Sequence, residues 1–268
     1  MRSEENLDRL VAFLTELEGL PRESGAYLFE GGGMVLVEDG RVCWAVADDA
    51  ERTLTMLLVE RGVDGETLRT LYRECKEEGR PLGETLVARG LVSADAFRTA
   101  LLEHTAEAVY RLATSARRGR GEWVPHKKKR YDATFTFGPL DLLFCAGRRH
   151  VPEEAEEGWA TLRWYLGEEG MGIAFLSRRG AMPLLPLAAM GGVNLRMEDL
   201  VRIAAWAPRA LAEAGDVDLC MVYWADRSGL ATWRRGRLLF VADCPTPSAL
   251  AWIAGRHRRA DQAIAAVR

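Results

Sequence analysis

Residues 217–242, VDLCMVYWADRSGLATWRRGRLLFVA, hold three apolar-rich runs (217–224, 230–235 and 237–242) separated only by ADRSG and by Gly236. Runs of this length bounded by turn residues read as strands, and links this short join antiparallel neighbours only. Upstream, MEDLVRIAAWAPRALAEAG (197–215) repeats Met197, Leu200, Ile203, Ala204, Ala207 and Leu211 on one helical stripe, with Pro208 predicting a kink or break. Downstream, Thr246 before Pro247 forms an N-cap with proline at the first helical position, opening PSALAWIAGRHRR. Further upstream lie a helical WATLRWYL (159–166) and two strand-like runs, MGIAFLS (171–177) and PLLPLAAM (183–190), with a turn at Arg179-Gly180. The order helix, strand, strand, helix, three strands, helix predicts one five-stranded antiparallel sheet with helices against its faces. Pro183 and Pro186 require the second strand to lie at an edge.

The N-terminal half is built differently. Leu7, Leu10, Val11, Leu14 and Leu17 make residues 4–19 an amphipathic helix. AYLFE, MVLVE and RVCWAVA follow as a strand meander, turned at Gly31–Gly33 and at Asp39-Gly40, a pair suited to a two-residue hairpin. From Asp49 to Arg117 the period is helical. Asp48-Asp49 reads as a helix start, Asp64 and Ser93 as N-caps, and Phe97, Leu101, Leu102, Val109 and Leu112 as a buried stripe. ATFTF (133–137) is strand-like, and LLFCAGRRH (142–150) reads as a buried strand end followed by a basic turn. The acidic, proline-marked VPEEAEEG (151–158) is the expected connector, which divides the chain into 1–150 and 151–268. The fold class is α+β.

With 268 residues, 48% apolar and 28% charged, the chain suits two ordinary domains, and its net charge of −3 gives no overall attraction to nucleic acid or anionic membranes. No stretch of about 18 uncharged apolar residues exists, so membrane insertion is not expected. The first twenty residues carry five acids and lack the basic, apolar pattern of a secretory leader, which points to the cytoplasm. Five cysteines without a CxxC argue against a disulfide framework or zinc ribbon. His104, His126, His150 and His257 show no metal-ligand spacing, Cys145 and His150 read as structural, and Ser228 lacks the setting of a nucleophile elbow. An enzyme, a metal site and a cofactor are therefore not expected.

The C-terminal pattern, carried by GIAFLSRRGAMPLLPLAA, the MEDLVRIAAWAPRAL helix and the strands of 218–243, resembles the roadblock/LC7 family over residues 158–268. The resemblance implies homodimerisation and a partner such as a small Ras-like GTPase or a bacterial polarity or motility complex. Residues 1–148, through the leading helix, GAYLFEGGGMVLVEDGRVCWAVA and FTFGPLDLLF, resemble bacterial PATAN-type (DUF4388-like) regulatory domains found beside signalling modules. Within them, GRPLGETLVARGLVSADAFRTALLEH is similar to the N-terminal helical domain of secretion and pilus ATPases, some of which bind a cyclic dinucleotide. Here Arg80 stands one place early and His104 occupies the position of the family's glutamine.

The expected function is regulation by protein–protein contact. Arg202, Trp206 and Arg209 form the candidate partner-binding face, and Leu219, Met221 and Tyr223 the candidate dimer interface; most other tryptophans are expected in cores. A second class is sensing of a cyclic dinucleotide or other anion through Arg80 and the basic cluster Arg117, Arg118, Arg120, Lys127, Lys128, Lys129 and Arg130. The same seven-residue cluster, which holds a single acid, Glu122, offers the third class, nucleic-acid binding, which the overall charge disfavours.

Overall fold

The computed structural model describes residues 2–19, 24–30, 32–115, 119, 121–125, 132–168, 170–177, 184–191, 196–213, 218–223 and 229–265. These form helices with one four-stranded and one five-stranded antiparallel sheet, an α+β protein. They divide into two compact units, Ala12–Ala146 and Gly147–Arg268 with Met1–Val11. The leading helix α1 (Arg2–Glu18) contributes residues to each.

In the four-stranded unit, Phe13, Leu14 and Leu17 of α1 are buried, Phe13 meeting Phe29 edge-on at 5.5 Å, and the Tyr27 hydroxyl donates to Glu16 at 2.6 Å. The meander is β1 (Gly25–Phe29), β2 (Met34–Glu38) and β3 (Arg41–Val46). Its second turn has φ of +50° at Asp39 and +75° at Gly40, the two left-handed residues of a type I′ hairpin. Helices α2 (Leu54–Glu60), α3 (Gly65–Glu78), α4 (Leu82–Ala88) and α5 (Ala94–Thr114) follow. As expected, Asp64 and Ser93 cap α3 and α5, accepting from the amides of Thr67 at 2.8 Å and Ala96 at 3.2 Å. α5 packs on β3 and on α2 and α4.

Several expectations are corrected here. Asp48-Asp49 forms a turn; the helix begins at Leu54, where the Thr53 hydroxyl accepts from the Met56 amide. The unit's fourth strand is β4 (Gly121–Pro125), within the span of the basic cluster and not expected from the sequence. It pairs antiparallel with β1, Gly25 opposite Pro125 and Phe29 opposite Gly121, giving the order β3-β2-β1-β4. Glycine is what permits this pairing: a Cβ on Gly25 would fall 2.3 Å from the Trp123 ring, and one on Gly121 2.3 Å from the Tyr27 ring. ATFTF is not a strand but a 3₁₀ turn (Ala133–Phe135) with a single bridge from Phe137 to Val42. LLFCAGRRH is helical, the body of α6 (Pro139–His150).

In the five-stranded unit, VPEEAEEG is no connector. Pro152 opens α7 (Pro152–Leu166), with Glu153 and Glu154 in the first turn where the helix dipole favours acids. Strands β5 (Gly172–Ser177) and β6 (Leu184–Met190), helix α8 (Met197–Glu213), strands β7 (Leu219–Tyr223), β8 (Gly229–Arg235) and β9 (Leu238–Asp243), and helix α9 (Pro247–Ala265) complete the order read from the sequence. All pairings are antiparallel, in the order β6-β5-β9-β8-β7. The row Ala174, Phe240, Trp233 runs straight across three strands, and Tyr165 of α7 rests on Trp233 with ring centroids 4.6 Å apart. α7 and α9 contact each other and this sheet face; Ile173, Val241 and Thr232, on the other face, are equally buried. α8 contacts β6, β7 and β8 through Met197, Leu200, Ala204, Ala207 and Leu211, all buried, and runs through Pro208 without a break. Pro208 removes one backbone donor, and the buried stripe on both sides holds the helix together.

Candidate functional site

A half-open cleft of about 380 Å³ lies between the meander and the helices of the four-stranded unit. Met34 and Leu36 of β2 and Cys43 and Trp44 of β3 form one wall. Adjacent strand residues ordinarily point to opposite faces. A bulge opposite Leu36–Val37 leaves Cys43 between the paired Val42 and Trp44, so both Cys43 and Trp44 reach the cleft. Leu54 at the start of α2, Tyr72 of α3, and Phe97 and Leu101 of α5 form the opposing wall, and Pro81–Glu84 lead across it into α4. Gly83 is the joint of this wall: a Cβ there would lie 2.2 Å from the Phe97 ring, so glycine lets that ring press on α4. Phe135, on the 3₁₀ turn, closes the end, meeting Phe97 at 5.1 Å and 86°.

Among the described residues the lining holds two acids, Glu84 and Asp132, and no Lys, Arg or His. Both carboxylates are exposed at the mouth, as is Tyr72 at 58%. Asp132 accepts from the Thr134 amide at 2.9 Å, and bonds from Thr134 hold its carboxyl below the usual carboxylate range. Behind the cleft, the His104 ring lies 4.5 Å from the Trp44 ring and its Nδ1 lies 3.4 Å from the Arg52 carbonyl. Burial lowers its pKa, so the imidazole is neutral and serves as a spacer behind the indole. Burial also pushes the Cys43 thiol up to about 12, which keeps it protonated and unreactive as a nucleophile.

Of the residues expected to bind anions, the described structure includes only Arg80. Arg80 pairs with Glu78 at 2.5 Å and does not line the cleft. Arg117, Arg118, Arg120, Lys127, Lys128, Lys129 and Arg130 lie outside the described residues, as do His126, Trp224 and Ser228.

On the five-stranded unit, Arg202 and Arg209 are exposed on α8, and Trp206 between them is half-buried. Arg202 meets Asp199 at 3.5 Å and Glu198 at 3.7 Å, exposed pairs of little energetic weight. Leu219 and Met221 lie on β7, an edge strand, with Met221 42% exposed; the Tyr223 side chain is outside the description. The tryptophans depart from expectation. Trp233 is fully buried, yet Trp159, Trp164 and Trp252 are 45%, 38% and 49% exposed. Trp164 and Trp252 hold the Arg256 guanidinium between them, 5.0 and 4.6 Å from their centroids, and the Trp252 indole N–H donates to the Tyr165 carbonyl at 2.9 Å. These rings were expected in the core, but Arg256, four residues on in α9, stacks on Trp252 and lets it stay at the surface.

Among the described residues no three His, Cys, Asp or Glu side chains are grouped to hold a metal ion, and no helix is long and apolar enough to cross a membrane. Comparison with protein-family models, curated proteins and solved structures finds no match for the chain.

Proposed function

We propose that the chain is a non-catalytic regulatory protein of the cytoplasm that acts through protein–protein contact. A homodimer forms through β7, and the outer face of α8, with Arg202, Trp206 and Arg209, meets a further protein such as a small Ras-like GTPase or a bacterial signalling or motility assembly. The observation that carries this reading is the difference between the two edges of the five-stranded sheet. Edge β6 carries Pro186, which has no N–H to offer, at a register shift opposite Ala174–Phe175. Prolines and bulges protect an edge from pairing. Edge β7, LCMVY, has neither proline nor charge, and its register with β8 runs unbroken from Leu219–Trp233 to Tyr223–Gly229. Two such edges meeting about a two-fold axis make one continuous antiparallel sheet. The order β6-β5-β9-β8-β7 with one helix between the second and third strands in sequence is also the arrangement the roadblock likeness implies. Sedimentation equilibrium at micromolar concentration is expected to give twice the chain mass of 29.8 kDa. A monomer at high micromolar concentration removes the dimer.

A second reading, sensing of a small ligand by the four-stranded unit, is favoured by the cleft itself, whose volume lies within the range of small-molecule sites, roughly 300–1,000 Å³.

A further inference from the structure

We propose that the cleft of the four-stranded unit binds a small organic cation, a weakly hydrated ammonium carried on an apolar body. The proposal rests on the ligand-sensing reading and names its ligand class. Four aromatic rings, Trp44, Tyr72, Phe97 and Phe135, come to one cavity of about 380 Å³ from four different elements. Each ring carries negative charge density on its face, and a cation over such a face is attracted most when little water competes. Phe97 and Phe135, which meet edge-on at 5.1 Å and 86°, both line the cavity. The charged groups of the cleft agree in sign among the described residues. Glu84 and Asp132 stand at the mouth, and no described Lys, Arg or His lines the cavity.

The rest of the lining selects the kind of cation. Leu36, Leu54, Leu82 and Leu101 offer no acceptor to replace the water lost by a primary ammonium or a metal ion. A quaternary ammonium has no N–H to satisfy and already presents methyl groups. An anion such as a cyclic dinucleotide would lose its hydration in an apolar cavity with two carboxylates at the entrance. Arg80, beside Pro81 in the chain, is paired with Glu78 and does not line the cavity.

Calorimetric titration of the full chain with hexyltrimethylammonium, hexanol and hexanoate tests this directly. The cation is expected to bind saturably, at least fivefold more tightly than hexanol, with hexanoate weakest. Glu84→Gln and Tyr72→Ala alter exposed side chains at the mouth, where the fold does not depend on them. Each is expected to weaken the cation about three- to tenfold, the range of single cation–π and screened charge contributions. Glu84→Gln is expected to leave hexanol within about twofold of its original affinity, since only the cation senses that charge. Equal binding of hexanol and the cation overturns the cation proposal and leaves a sensor of apolar ligands. Unchanged cation affinity in both variants overturns it too, because the binding then lies elsewhere. Absence of saturable binding by all three probes removes the sensing reading together with the proposal.

Discussion

Two glycines in helices, Gly83 and Gly255, have opposite surroundings. A Cβ at Gly83 would lie 2.2 Å from the buried Phe97 ring, whereas one at Gly255 meets nothing within 4 Å. In a helix interior alanine is favoured over glycine by about 1 kcal/mol. At Gly255 that preference stands unopposed, so Gly255→Ala is expected to raise stability by about 0.5–1 kcal/mol. At Gly83 the Phe97 ring must move, and overpacking costs about 1–3 kcal/mol. Gly83→Ala is therefore expected to lower stability in urea unfolding despite the better propensity, and a gain would show that the ring shifts freely. His104 supplies a pH dependence at the same scale. Its folded pKa lies below the ordinary 6.5, with burial the main cause. The unfolded chain then takes up a proton that the folded chain refuses, so stability is complete above about pH 6.5 and falls as the pH drops through the folded pKa. Urea unfolding between pH 5 and 7.5 should show this loss, reduced in His104→Gln; identical slopes would mean that the imidazole protonates in place.

At the scale of elements, the caps and turns followed from local chemistry. Asp64, Ser93 and Thr246 each bond the backbone amide three residues on, and Asp39-Gly40 takes the two positive φ values its hairpin needs. These interactions span four residues or fewer, which is why they were legible. β4 was not. GEWVP alternates too weakly to read as a strand, and it becomes one because Gly25 and Gly121 make room for the rings of Trp123 and Tyr27 across the β1 pairing, about a hundred residues distant. The helical state of VPEEAEEG was misread from Pro152, which breaks a helix from within but suits its first turn. The edge strand carries the element-level prediction. Met221 is 42% exposed on β7, so Met221→Lys leaves the fold intact and places a charge on the pairing edge. It is expected to convert the proposed dimer to a monomer in sedimentation equilibrium, with the circular dichroism of the parent; a dimer that persists would move the interface away from β7.

For the molecule as a whole, alternation and helical stripes were enough to give the antiparallel five-stranded sheet, its element order and the meander of the other unit, because burying one face of each element is a requirement written at periods of 2 and 3.6 residues. The same patterns place Pro186 at an edge, since a central strand could not spare its N–H. What periodicity cannot hold is which apolar residues remain uncovered. Trp164 and Trp252 are apolar rings on helices that pack on the sheet, yet they are 38% and 49% exposed around Arg256. The cleft went unread for the same reason. Trp44, Tyr72, Phe97 and Phe135 lie up to 91 residues apart with no common motif, and only the packing of α5 on β3, with α4 against α5 and α3 against α4, sets them around one cavity beside Glu84 and Asp132. Local chemistry and periodicity thus determined the caps, the meander and the element order of the five-stranded sheet, while the tertiary structure decided the pairing of β4, the cleft and the exposed rings, because a cavity and a surface are properties of how faces meet, and the distances between faces are not recorded along the chain.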